Sequence, residues 1–240
     1  MKLVADTHAH TLASGHAYST VDEMAKEASR IGLELLAITD HTSGMPGGAH
    51  NFHFMNLKVI PEVLYGVRLL KGAEVNIIDY EGHVDAPEEL MEAVDLVIAS
   101  LHPPCIGFAD EETVTKGLEK IMENPLIQII GHPGDGRYPI DAKRVAYKAK
   151  ETGTLLEINN ASLKPTSFRP GVRENLVLLL EACKEYGTHV VVATDSHFHL
   201  EVGKWQESLS FLEEIGFPEE LVINTSVDKL LSFISQKRLK

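Results

Sequence analysis

The chain has two cysteines, one tryptophan and no long apolar run, and each shortage narrows what it can be. Cys105 and Cys183 are too few for a disulfide framework, so a reducing cytoplasm is the expected setting. The Asn160 and Asn224 sequons therefore carry no weight. The longest apolar stretches are runs such as Leu176–Leu180, far short of the ~18 residues of a membrane span. The N-terminus lacks the basic and apolar regions of a signal peptide and leads directly into a strand-like run. Positive charge is scarce too: 22 Lys and Arg against 35 Asp and Glu give a net charge of -13. That balance argues against nucleic acid, whose phosphates are held by clustered cations. With no repeat, no low-complexity stretch and no flexible linker, the 240 residues read as a single domain, 1–240, with ample core.

What the chain has in excess is histidine, twelve in all. Their placement follows a pattern. Seven aliphatic or β-branched runs stand out: Leu3–Asp6, Leu35–Thr39, Val67–Val75, Leu96–Ser100, Ile127–Ile130, Thr154–Ile158 and Val190–Ala193. Helical segments lie between most of them, near Glu111–Glu123, Asp141–Glu151, Val172–Tyr186 and Lys204–Ile215. Another begins at Thr20, with Glu23 at the capping-box spacing, and ends at Gly32. Strands alternating with helices imply βαβ units and a parallel sheet. Nearly every run carries a His, Glu or Asp at or near its C-terminal end. A closed barrel gathers those ends on one face, whereas an open sheet strings them along an edge. The expected fold is an α/β, distorted seven-stranded TIM-like barrel with its site at the C-terminal face.

The side chains at those ends are metal-ligand types. His8 and His10, two apart on an extended chain, project to one side and can reach one cation. His16 follows in a Gly-flanked loop, and Asp40-His41 ends the second run. Glu74 is an acid inside the apolar stretch Leu69–Ile78, where a carboxylate is costly unless paired or metal-bound. His102 and His132 each precede a proline that ends the strand. Alternation places Asp195, His197 and His199 on one side, with His199 a ligand or a neighbour of one. His50, His53 and His83 have no strand anchor, and His189 starts a strand at the opposite end. One tetrahedral ion cannot use nine such ligands, so two to three divalent cations are expected, of the zinc, manganese or iron type.

These motifs resemble the PHP-domain (polymerase and histidinol phosphatase) superfamily, particularly its YcdX-like bacterial phosphatases. The residues that carry the likeness are Asp6-Thr7-His8-Ala9-His10, His16, Thr39-Asp40-His41, Glu74, His102, Gly131-His132-Pro133 and Asp195-Ser196-His197. The likeness implies the seven-stranded barrel, a trinuclear centre and a homotrimer. Position by position, it implies one metal on His8, His10, Glu74 and Asp195. A second would take His16, His41 and His197, and a third His102 and His132 with Glu74 bridging. Departures fall in loops, at Cys105 and the histidines at 50, 53 and 83.

The expected reaction is hydrolysis of small phosphomonoesters by a metal-activated hydroxide, the cations reversing the negative field locally. Arg169 is the candidate phosphate-binding side chain, because a guanidinium matches phosphate geometry. Asp40 either orients a ligand histidine or shuttles a proton. Two other readings compete. An amidohydrolase-type enzyme would leave His16, His41 and His197 surplus. A non-catalytic or nuclease-assisting PHP module is disfavoured by the complete ligand set and the missing basic stripe.

Overall fold

Aliphatic runs flanked by polar residues pair side by side in parallel, as their alternation with helices requires. The computed structural model, which describes residues 1–240, has strands β1 (Ala5–Asp6), β2 (Leu35–Ile38), β3 (Val63–Leu64), β4 (Val67–Asn76), β5 (Leu96–Ser100), β6 (Ile129–Ile130), β7 (Leu155–Asn159) and β8 (Val190–Ala193). The order is β1-β2-β4-β5-β6-β7-β8, parallel throughout, with β3 a short antiparallel partner of β4. This is the expected barrel with one added hairpin strand.

The barrel closes through side chains as much as backbone. Asp6 accepts Thr194 N–H at 3.1 Å, the Thr194 hydroxyl at 2.6 Å and Gly203 N–H at 3.1 Å. Asn224 fills the same gap between β1 and β8. Its amide donates to Ala5 O (2.8 Å) and Val192 O (2.7 Å) and accepts from Val192 N–H (3.2 Å). Beyond the strands, a bridge between Ala9 and Ser196 completes the ring.

Helices wrap the outside: α1 (Val21–Arg30), α2 (Asn51–Asn56), α3 (Glu88–Ala93), α4 (Glu111–Glu123), α5 (Ala142–Thr152), α6 (Asn160–Leu163), α7 (Val172–Tyr186), α8 (Gln206–Glu214) and α9 (Val227–Arg238). The Thr20–Glu23 capping box opens α1, and Gly32, at φ +79°, takes the left-handed turn after it. α9 carries no histidine motif, yet it shapes the barrel. Its Leu230 and Ile234 pack with Ala5, Leu35, Leu70, Leu96, Ile98 and Leu155, plugging the lumen at the N-terminal ends of the strands. Its Lys237 donates to Met122 O and its Arg238 to Met91 O and Val94 O, satisfying carbonyls at the ends of α4 and α3. No helix is long and apolar enough to cross a membrane, and Cys105 and Cys183 are both free.

Candidate metal centre

With the lumen plugged at one end, inward-facing side chains near the other end converge. Alternation puts Leu70, Gly72, Glu74 and Asn76 of β4 on the inner face, and likewise Leu155, Glu157 and Asn159 of β7. The apolar members fill the barrel and the polar members face its mouth.

Glu74 is fully buried at the middle of that mouth. Its Oε1 accepts the Ser100 hydroxyl at 2.6 Å and lies 3.2 Å from His132 Nε2 and 3.4 Å from His102 Nε2. Its Oε2 lies 2.7 Å from His41 Nδ1, 3.4 Å from His8 Nε2 and 3.5 Å from His10 Nε2. Gly131 makes room for this arrangement, since a Cβ there would meet Ser100 Oγ at 2.1 Å. On the far side, Asp195 Oδ1 is 3.2 Å from His10 Nε2 and 3.6 Å from both His8 Nε2 and His197 Nδ1.

The far nitrogens of the rings are held by the protein. His8 Nδ1 donates to Glu157 Oε1 at 2.6 Å, and Glu157 Oε2 accepts His132 N–H at 2.7 Å. His102 Nδ1 donates to Asn76 Oδ1 at 2.7 Å. His10 Nδ1 donates to Ser14 Oγ at 3.0 Å, because that hydroxyl gives its own proton to Asp40 Oδ1. Asp40 also accepts Thr11 N–H and the Thr11 hydroxyl, and lies 3.3 Å from His53 Nε2. Asp40 therefore contacts the loop that carries His10. Burial alone would raise its pKa, but His53, His10, Ser14 and Thr11 hold it at about 2.

These bonds leave bare nitrogens facing one another. With both Nδ1 atoms donating, the neutral rings of His8 and His10 point lone pairs at each other across 3.0 Å. Glu74 Oε2 and His41 Nδ1, both buried, meet only each other, at 2.7 Å and outside hydrogen-bond geometry. A buried cluster of acceptors needs cations or protons between them. Without metal the protons divide unevenly. Burial opposes a charge on His8, yet Glu157, Glu74 and Asp195 raise its pKa well above the ordinary value. Burial, with His41 and His197 nearby, pushes His10 down to about 3, and burial takes His102 to about 4. The donor set, imidazole and carboxylate with outer partners fixed, fits divalent cations.

Ligand atoms fall within 4.8 Å of one another in three groups: His8-His10-Glu74, His10-His41-His197 and His41-Glu74-His102. His132 stands beside Glu74, outside those triples. His16 is exposed at the rim, its ring stacked 4.8 Å from His197 and 5.1 Å from His41. Arg169 is placed at the wall, donating to Ser162 Oγ at 2.9 Å with Nη1 3.5 Å from Asp195 Oδ2. The strand alternation expected beyond Ala193 does not hold. Asp195 adopts φ +55°, so the chain turns, and His199 is carried away to Ser19 Oγ at 2.9 Å. His83 is exposed beside Asp79, and His50 caps α2.

Sequence reasoning missed Glu157. The signal was present: like Glu74, it is an acid inside an apolar strand, followed two residues on by Asn.

A barrel of parallel strands with imidazoles and carboxylates at its C-terminal mouth defines a metal-dependent hydrolase type of architecture. The PHP domain model matches residues 6–236, and the chain belongs to that family. A relative from Caldanaerobacter subterraneus named "probable phosphatase" is 48% identical over 99% of this chain and 93% of its own length. In fold, the chain is similar to a histidinol phosphate phosphatase from Lactococcus lactis, solved with zinc, L-histidinol and phosphate. The TM-score is 0.65 at 18% identity, covering 89% of this chain and 94% of the other. A chain of archaeal ribonuclease P, solved with mature tRNA, shares the fold at TM-score 0.64 and 13% identity, covering 98% and 91%.

Proposed function

We propose that this PHP-family phosphatase hydrolyses small phosphomonoesters at a centre of two to three divalent cations. The carrying observation is the approach of His8 Nε2 and His10 Nε2 to 3.0 Å beside Glu74 Oε2, with both Nδ1 atoms held by Glu157 and Ser14. Full-length relatives named as phosphatases support the reaction class. His8, His10, His16, His41, Glu74, His102, His132, Asp195 and His197 would hold the cations. When bound, the cations activate water and neutralise charge on the phosphoryl group. Zinc heads the choices because the ligand set is imidazole and carboxylate, with manganese or iron next.

The chain's own residues do the rest. Glu157 and Asn76 fix the rings of His8 and His102, and Ser14 with Asp40 fixes His10. Arg169, held by Ser162 and buried along its side chain, offers its guanidinium to a phosphoryl oxygen. The cavity above, about 380 Å³ and lined by His16, Met45, Lys164, Phe168 and Arg169, admits a small ester. The test is elemental analysis of the purified protein followed by a panel of phosphomonoesters and phosphodiesters. Two to three metals and monoester turnover support the reading; fewer than two metals, or diester turnover alone, overturns it.

A further inference from the structure

We propose that a second cavity, between α5, α9 and the start of β8, binds a small oxyanion of the phosphate class. It lies at the N-terminal ends of the strands, opposite the histidine cluster, and has a volume of about 230 Å³. Lys150, His189, Lys237 and Lys240 line it, with Phe233 beneath His189 at a ring distance of 5.5 Å. No acidic side chain does.

That absence is unusual in a chain with a net charge of -13. Neighbouring cations on α5 are all neutralised: Lys143 by Glu185, Arg144 by Glu112 and Glu119, and Lys148 by Glu123. The three lysines of the cavity have only carbonyl partners. Lys150 Nζ donates to Gly187 O at 2.9 Å, Lys240 Nζ to Glu151 O at 2.9 Å and Lys237 Nζ to Met122 O at 2.6 Å. Each ammonium has three donors, so two remain free on every one. Lys237 is only 2% exposed, and a buried ammonium without a counter-charge is destabilising. Three cations with spare donors around one small volume match a tetrahedral dianion, free or on a short carbon chain.

Crystals of the metal-loaded protein soaked in tungstate test the site directly, through the anomalous signal of tungsten. The expected result is a peak between Lys150 and Lys237, separate from any at the histidines and absent in Lys237→Met. In solution, inorganic phosphate and, as the ester, the non-hydrolysable phosphonate analogue of glycerol phosphate are titrated against the imidazole resonances of His189. Lys150→Gln, a change at the surface that leaves the fold intact, should weaken binding about tenfold, the loss of one charge-assisted contact. A response to both anions assigns the site to free phosphate, and a response to the ester alone assigns it to a phosphorylated metabolite. Tungsten confined to the histidine cluster overturns the proposal. So does a His189 response that Lys150→Gln leaves unchanged.

Discussion

Glu157 Oε1 lies 2.6 Å from His8 Nδ1, while Oε2 of the same carboxylate takes the backbone N–H of His132 at 2.7 Å. One buried acid thus orients the ring of one candidate ligand and the peptide of another. Glu157→Gln keeps the shape but presents an amide N–H to one of these two donors. Zinc affinity should fall ~10–100-fold, the range for partners that orient a metal ligand, with secondary structure unchanged. Competition against a chromophoric chelator measures it. An affinity equal to the parent's would remove Glu157 from the centre.

Glu74 and His199 make a sharper contrast. Glu74 touches His8, His10, His41, His102 and His132, whereas His199 contacts Ser19. Glu74→Gln should reduce metal content and lower kcat/KM far more than His199→Ala, which should retain near-parental values. Elemental analysis with steady-state kinetics on both folded variants tests the ranking. Comparable losses would contradict it.

The barrel and most of the candidate ligands were legible because these side chains lie in or just after short apolar runs, a pattern visible without contacts. Glu157 carried that same signal, as an acid between Leu156 and Ile158. The turn at Asp195 was not legible: φ +55° at a non-glycine residue is imposed by packing, so alternation misplaced His199. Nor was Asn224, whose role depends on a seam between residues more than thirty positions apart in sequence. The roles of α9 were hidden for the same reason, since its lysine and arginine act on distant helix ends.

Asn224 is the test of barrel closure. Replacing it by alanine leaves Val192 N–H, Ala5 O and Val192 O at the seam without partners. Each orphaned buried group costs about 1–3 kcal/mol, so a total loss of about 3 kcal/mol or more is expected. Urea unfolding monitored by circular dichroism gives the number. A loss below about 1 kcal/mol would show that the seam does not depend on this side chain.

Lys237 makes stability depend on alkaline pH. Burial, with Lys240 and Lys148 nearby, lowers its pKa from 10.5 to about 8. Between those values the unfolded chain holds a proton that the native protein has shed. Stability therefore rises with pH across that window, by up to about 1.4 kcal/mol per pH unit, and the contribution is absent below it. The comparison is urea unfolding of parent and Lys237→Met in buffer free of multivalent anions. Identical pH profiles would mean that the native ammonium is not perturbed.

Chelation separates metal chemistry from architecture. EDTA should abolish phosphate-ester turnover, and zinc or manganese should restore it. Acid should act the same way, because the histidine ligands must be deprotonated to bind cations. The fold should nevertheless survive. Leu230 and Ile234 plug the barrel and Asn224 spans its seam, and these side-chain contacts do not touch the histidine rings. The cluster also has its own reserve. In the metal-free chain His8, held well above the ordinary imidazole pKa by Glu157, Glu74 and Asp195 despite its burial, can carry a proton toward His10. One proton offsets part of the carboxylate charge that cations would otherwise neutralise. The expected outcome is native circular dichroism with a lowered melting temperature in verified metal-free protein. Retained turnover there would refute the metal-dependent reaction. Loss of secondary structure would make the cations part of the fold itself, contrary to a core carried by the plug and the Asn224 seam.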